Sequence, residues 1–280
     1  MAQPPFSITK PSRDNWLNMM IYGAYGSGKT RFISTVQDVP RMRNLLFLNI
    51  ESGTMTLSDR QDIDQITVSD YRIFARVYEF LRLHCMLREK YNAGDEVSKA
   101  ELIRMESNLK GIPAEEIEEP TIYRSVAIDS LTEVQKYCMY MLLGLQPGEA
   151  KLDLETPRPE WKEWGQSAEM IRLLIRSFRD LLMNTFFVCA EQFAEDETKR
   201  RFFAPALPGK LASESQGFLD VVGYLRTSLP KNTEEAPLRR LYLQPNASFN
   251  AKDRYHNNKL VSYIDADEDG YLRMQTFLDA

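Results

Sequence analysis

The chain has 280 residues, 43% of them hydrophobic, and a formal net charge of −5, which supplies enough apolar material for one substantial core and excludes a uniformly basic nucleic-acid binder. No run approaches ~18 uninterrupted apolar residues, and the opening MAQPPFSITK lacks the basic-then-apolar order of a secretory leader, so no membrane contact and a cytoplasmic location are expected. Cys85, Cys138 and Cys189 sit singly in apolar surroundings and only His84 and His256 are histidines, a pattern of reduced core thiols rather than of disulfides or a zinc cluster.

The first informative stretch combines three elements in order. Leu17 to Tyr22 reads as a buried strand, Arg31 to Val36 as an apolar-faced helix, and between them stand Gly23, Ala24, Tyr25, Gly26, Ser27, Gly28, Lys29 and Thr30. These eight residues match G-x-x-x-x-G-K-[ST] in the strand-to-helix setting that the motif requires. Glycines let the loop wrap so that successive backbone N–H groups, up to that of Arg31, point at phosphate oxygens, and the following helix adds partial positive charge. Lys29 would reach the outer phosphates and Thr30 would hold Mg²⁺, which makes ATP with Mg²⁺ the expected ligand.

A second strand is expected at Asn44 to Ile50, ending in Glu51-Ser52-Gly53, and a short one at Gln65 to Val68. Ser69-Asp70 can cap a helix from Tyr71 to Tyr91. Asn92 to Pro120 is charged, with a helix at Ser98 to Leu109 and an acidic run at Ala114 to Glu119; together, residues 71–120 read as a helical insertion. Tyr123 to Ile128 is a strand ending at Asp129, followed by a helix from Leu131 to Leu143. Leu145 to Pro159 reads as a loop, Glu160 to Met183 as a long amphipathic helix with Arg172, Arg176 and Arg179 on its wet side, and Thr185 to Ala190 as another buried strand. Beyond it come a polar loop from Glu191 to Gly209, a short helix near Ser213 to Leu219, strands at Val221 to Arg226 and Arg239 to Leu243, and a strand pair continuing toward Phe249. An acidic turn then precedes a strand at Tyr271 to Met274. Strands alternating with helices imply a single three-layer α/β domain with a mostly parallel central sheet, and residues 257–280 form a C-terminal appendage.

Acidic residues at strand ends decide what a phosphate loop does. Asp129 suits a carboxylate that orients Mg²⁺ through its water shell, and its other reading, a helix N-cap at Asp129-Ser130, is compatible with that role. Ser130 follows it, not a second acid, so a water-activating carboxylate must come from elsewhere. Glu51, at the carboxyl end of its strand where such sheets place their ligand crevice, can orient the attacking water and accept its proton.

The order GAYGSGKT, FLNIESG, VAIDSLTE, FFVCAEQ resembles the RecA-type P-loop ATPase core. Within it the chain is similar, over about residues 15 to 256, to the phage RecA-like single-strand-annealing ATPases of the Sak type, often labelled phage nucleotide-binding proteins. That resemblance implies a RecA-like sheet, Glu51 as catalytic base, and Gln192 as the polar residue that senses the γ-phosphate, with Glu191 competing for the role. It places DNA-binding loops at about 145–166 and 193–209. In the second, Lys199, Arg200 and Arg201 stand beside Phe202 and Phe203, with Lys210 nearby, a set that can track phosphates and stack bases; a solvated hairpin with its phenylalanines packed down is the other reading. In the first, Lys151, Arg158, Trp161, Lys162 and Trp164 are the pointers, although the tryptophans also suit a core. Lys252 and Arg254 resemble cations supplied across a subunit interface, which implies a homo-oligomeric ring or filament with shared active sites. The resemblance implies a DNA-stimulated ATPase of phage recombination, working on single-stranded DNA by annealing or homologous pairing, with a single-strand-binding protein as a further partner. A small-molecule P-loop kinase and a nucleotide-switched helicase loader or assembly factor remain the alternatives. Asp265-Ala266-Asp267-Glu268-Asp269-Gly270 begins like an EF-hand loop, but Thr276 stands where the bidentate Glu belongs, so an acidic turn is expected instead.

Overall fold

The computed structural model describes residues 16–51, 54–145, 157–228, 237–256 and 259–280. The loop expected at Leu145 to Pro159, with Lys151, therefore falls largely outside the described residues. A central sheet runs in the order β10-β8-β7-β1-β5-β4-β2-β3. Its middle consists of parallel strands: β1 (Asn18–Gly23), β2 (Leu45–Asn49), β4 (Ser125–Asp129), β5 (Asn184–Glu195) and β7 (Val221–Ser228), flanked on one side by the short β3 (Asp64–Thr67). β1, β2 and β4 are almost wholly buried because both of their faces are covered, which is why their sequences read as unbroken apolar runs. The other flank is antiparallel, where β8 (Leu238–Tyr242) pairs with β7 and with β10 (Tyr263–Asp265), and β9 (Lys252–Asp253) pairs with β7. The result is the expected three-layer, mostly parallel α/β architecture.

Helices cover both faces. On one, α1 (Lys29–Ser34), continued by a 3-10 turn at Thr35–Asp38, and the C-terminal α7 (Met274–Asp279) bury Phe32, Ile33, Val36, Met274 and Phe277. On the other lie α2 (Ile73–Asn92), α4 (Leu131–Leu142), α5 (Trp161–Arg179) and α6 (Leu211–Phe218). α2 is part of that core: Phe74, Val77, Leu81 and Cys85 are buried in it, and the buried Arg88 donates to the carbonyls of Tyr123 and Leu182. α3 (Glu96–Lys110), capped by the Asp95 carboxylate and closed by Gly111 in the left-handed conformation, packs outside α2. No described helix is long and apolar enough to cross a membrane.

Three expectations need correction. α5 stops at Arg179, four residues before Met183, because the chain turns at Leu181 to enter β5. The polar stretch after Ala190 is not a loop: β5 continues to Glu195 and pairs antiparallel with β6 (Arg201–Pro205), making a hairpin. The C-terminal strand expected at Tyr271 to Met274 is instead the entry to α7, where Met274 N–H donates to Thr35 Oγ1 at 2.8 Å and Met274 and Phe277, three residues apart, bury the same helical face.

Candidate functional site

The carboxyl ends of β1, β2, β4 and β5 meet at one edge of the sheet. Parallel register puts Gly23 opposite Ala190, Asn49 opposite Asp129, and Asp129 opposite Val188. Gly23 must be glycine on packing grounds, since a Cβ there would lie 2.1 Å from the Leu225 carbonyl oxygen of β7. Gly26 and Gly28 have φ of 74° and 101°, a region that glycine enters without steric cost, and so the loop from Gly23 to Thr30 wraps over the strand ends.

Within this loop Lys29 Nζ donates to the carbonyls of Gly23 (2.9 Å) and Ala24 (2.7 Å), occupying two of its three N–H donors. Thr30 Oγ1 donates to Asp129 Oδ2 at 2.6 Å. Ser130 Oγ donates to Glu51 Oε1, so the carboxylate after β2 is tied to the strand end of β4. Lys29, Thr30, Glu51 and Asp129, with Tyr25, Asn49 and Thr56, line a cleft of about 260 Å³. The charges are held against their own solvation. Burial pushes the Asp129 carboxyl up to about 6, with Glu51 adding to the shift and the Thr30 hydroxyl and Lys29 opposing it; burial likewise lowers the Lys29 ammonium, against the attraction of Asp129 and Glu51. Ser27 Oγ is buried in the loop with no hydrogen-bond partner among the described residues. An unpaired hydroxyl, a lysine, and the hard oxygen donors of Thr30 and Asp129 are the chemistry that a polyphosphate with Mg²⁺ fits.

Sequence reasoning missed Ser130 and Thr132. Thr132 Oγ1 accepts from Ala190 N–H at 3.1 Å and lies 3.4 Å from Cys189 Sγ, which locks the middle of β5 beside the helix that follows Asp129. Their signal was adjacency to Asp129 alone. Gln192 does not line the cleft: its Nε2 donates to the carbonyls of Pro205 (3.0 Å) and Leu207 (3.1 Å), holding the return strand of the hairpin. Strand alternation turns Glu191 to the opposite face. There burial raises the pKa of the Tyr224 phenol, with the neighbouring Glu191 carboxylate adding to the shift.

The basic hairpin is partly self-neutralised. Asp196 Oδ1 accepts from Thr198 N–H and Arg200 N–H and shapes the turn; Arg200 pairs with Asp196 at 3.5 Å, Arg201 with Glu195 at 3.0 Å, and Lys199 sits at the tip with φ 62°. Phe203 is turned inward, stacked at 5.9 Å on Tyr224, so it is core rather than a base platform; the solvent-facing ring is its cross-strand neighbour Phe193. Arg200 covers Phe202 at 4.8 Å. The tryptophans are the converse case. Trp161 is 93% and Trp164 43% exposed, and with Lys162, Gly209 and Lys210 they border a groove of about 940 Å³ between α5 and the start of α6.

Lys252 departs from its expected role. Its Nζ donates to the carbonyls of Gln216 and Leu219, each at 2.6 Å, capping the end of α6 inside its own chain, whereas the neighbouring Arg254 is exposed. In the acidic turn Asp267 pairs with Arg273 at 2.6 Å and Asp269 also bonds it; among the described residues no group of three or more His, Cys, Asp or Glu side chains gathers as a metal site.

No curated protein matches the chain. Among solved structures it is similar to the crystal structure of the RadB recombinase, with 15% sequence identity, a TM-score of 0.40, and coverage of 91% of this chain and 89% of that one. The sequence profile described as AAA domain matches residues 16–255, a span that begins before the phosphate loop and ends after Arg254. The chain belongs to the AAA domain family of P-loop ATPases.

Proposed function

We propose that the protein is a Mg²⁺-dependent ATPase of phage DNA recombination that binds single-stranded DNA and promotes annealing or homologous pairing. The observation that carries the hydrolytic part is the pair of links Thr30 to Asp129 and Ser130 to Glu51 at the mouth of the glycine loop. In this reading backbone N–H groups of residues 24–31 and the Lys29 ammonium hold the phosphates, and Thr30 and Asp129 hold the metal. Bound Mg²⁺ would neutralise charge on the phosphates. Glu51 orients the attacking water and takes its proton, with the Ser130 hydroxyl fixing the carboxylate. Glu191 is the better candidate than Gln192 to link the loop to the hairpin, because the Gln192 amide is engaged with the Pro205 and Leu207 carbonyls.

The DNA-binding part draws support from exposed aromatics set among cations: Trp161, Trp164, Lys162 and Lys210 along the groove, and Phe193 and Lys199 on the hairpin. Arg254, exposed beside β9, is the cation available to a neighbouring protomer in a ring or filament, and a single-strand-binding protein is a fitting partner.

Steady-state ATP hydrolysis with Mg²⁺, with and without single-stranded DNA, over a range of protein concentrations, tests the proposal. Stimulation by DNA that grows with protein concentration is expected, and Glu51→Gln should retain ATP binding while turnover falls by about 10²- to 10⁴-fold. Hydrolysis indifferent to DNA would refute the recombination reading and favour a loader or a kinase; near-normal turnover in Glu51→Gln would remove that residue from the base role.

A further inference from the structure

The chain that follows Glu51 is laced to the helix of the phosphate loop. Arg31, next after Thr30, donates through Nη1 to both oxygens of Asp59, at 2.8 and 2.7 Å. Arg60 donates to the Asp38 carboxylate at 2.8 Å, and Gln37 Nε2 donates to the Asp62 carbonyl at 2.9 Å. Between Glu51 and this lacing stands a 3-10 turn, Thr54–Leu57, whose Leu57 is buried in the same core as Phe32, Ile33 and Val36. Thr56 of that turn lines the phosphate cleft together with Lys29, Thr30 and Glu51. We infer that Asp59, acting through Arg31, is a positioning residue for ATP hydrolysis: the pair holds the segment that carries the Glu51 carboxylate at a set distance from the loop that holds the phosphates. The inference rests on the reading of Glu51 as the base.

Three physical features support it. First, the two halves of the site belong to strands that are not neighbours. Lys29 and Thr30 follow β1 and Glu51 follows β2, with β5 and β4 between them in the sheet. Three inter-strand steps amount to about 14 Å, so strand pairing alone fixes the base relative to the phosphates only at a remove. The Arg31–Asp59 pair spans that gap directly, while the Ser130 hydroxyl holds Glu51 on its other side. Second, hydrogen bonding to Arg31 holds the Asp59 carboxyl below its ordinary range, so the link stays charged at neutral pH. Third, the two side chains are 30% and 56% exposed, and an ion pair so placed adds little to stability. A large effect on turnover would therefore come from placement and not from the fold, because displacing a reacting group by about 1 Å costs up to about 10²-fold in rate.

The test is steady-state hydrolysis of Mg²⁺·ATP by the full chain and by Asp59→Asn, Asp59→Glu, Arg31→Gln and the Arg31→Gln/Asp59→Asn double variant, with calorimetric ATP binding and thermal melting on the same samples. Asp59→Asn should lower kcat about 10- to 100-fold, with KM, ATP affinity and melting temperature unchanged. Asp59→Glu, which keeps the charge, should recover most of kcat. The double variant should lose no more than either single variant, since both changes remove one link. Raising NaCl from about 0.05 to about 0.5 M should lower kcat of the unmodified chain toward that of Asp59→Asn and leave the variant unmoved, as screening of a partly exposed pair requires. Normal kcat in Asp59→Asn, losses that multiply in the double variant, or ATP affinity falling in proportion to kcat would overturn the inference. The salt series on the unmodified chain needs no variant to fold, and a kcat indifferent to salt would overturn it as well. Glu51→Gln separates the two readings. Turnover that survives in Glu51→Gln removes the base and the positioning role together, whereas turnover lost in Glu51→Gln but intact in Asp59→Asn removes the positioning role alone.

Discussion

Replacing Asp129 by asparagine should stabilise the metal-free protein while removing its hydrolysis. Asp129 is 4% exposed, and burial raises its carboxyl from 3.8 to about 6. Each pKa unit is worth about 1.4 kcal/mol, so at pH 7.5 the ionised carboxylate costs the fold about 3 kcal/mol relative to the unfolded chain. Asparagine keeps an oxygen that can accept from Thr30 Oγ1, so the gain should appear with little loss of contacts. Because the folded pKa lies above the unfolded one, the penalty is complete above about pH 6 and disappears as pH falls toward 3.8. His84 works in the opposite sense. Its Nε2 lies 3.2 Å from the Thr121 carbonyl, and burial pushes it from 6.5 down to about 4, so the fold holds it neutral while the unfolded chain protonates it. That loss, also about 3 kcal/mol, sets in as pH falls from 6.5 to 4. The two contributions nearly offset in the same interval. Urea denaturation in EDTA at several pH values between 4.5 and 7.5 should therefore show Asp129→Asn exceeding the unmodified protein by about 3 kcal/mol at pH 7.5 and by progressively less toward pH 4.5, and His84→Gln diverging from it with the opposite slope. An asparagine variant less stable at pH 7.5, or a difference independent of pH, would refute the account of Asp129 as a charge held against its solvation.

Lys252→Met should cost about 1–3 kcal/mol of stability, because two carbonyls at the end of α6 lose a charged donor, while ATPase activity per folded molecule stays unchanged. Arg254→Ala should leave stability and ATP binding alone and lower hydrolysis at assembling concentrations; activity that survives intact would exclude it as the interfacial cation. Trp161→Ala should weaken single-stranded DNA binding by about 1–3 kcal/mol with no change in thermal melting, measured by fluorescence anisotropy, and reversing Lys199, Arg200 and Arg201 to glutamate should also flatten its salt dependence. Unaltered affinity in both variants would move the DNA surface elsewhere. Gly23→Ala should lose about 3 kcal/mol or more by denaturation, since the new methyl meets a strand carbonyl that cannot move aside.

Much of the sheet was legible because its signals are local and contiguous. Buried parallel strands such as LLFLN and SVAID carry their burial on both faces and so announce themselves, and the glycine loop is a motif of eight adjacent residues. Other elements take their meaning from partners far away in sequence. AEQFAE looks like a polar loop until it pairs with RFFAP, and that pairing sets Phe193 and Phe203 on one face with ring centroids 5.6 Å apart, Phe203 stacked on Tyr224 and Phe193 outermost. Trp161 and Trp164 have the composition of core residues, but the capping box of Glu160 and Glu163 starts α5 at Trp161, and helical spacing then sets the wet face. Lys252 and Arg254 are indistinguishable in sequence and differ only because the end of α6 arrives beside one of them.

The site shows the same division at a finer scale. Lys29, Thr30, Glu51 and Asp129 could each be picked out from residue type and strand-end position, yet nothing in those four letters says that Glu51 and Asp129 would meet. Register decides it: Asn49 faces Asp129 across the β2–β4 ladder, and the Ile50 N–H donates to the Asp129 carbonyl at 2.8 Å, so the chain leaving β2 passes directly over Ser130. A slip of one residue between these strands would carry Asp129 to the other face of the sheet and separate Thr30 from its acceptor. The apolar residues of β2 and β4 therefore help to hold the carboxylates at their working distance, because Leu46 and Leu48 pack into the core on one face and Phe47 into the core on the other in that register.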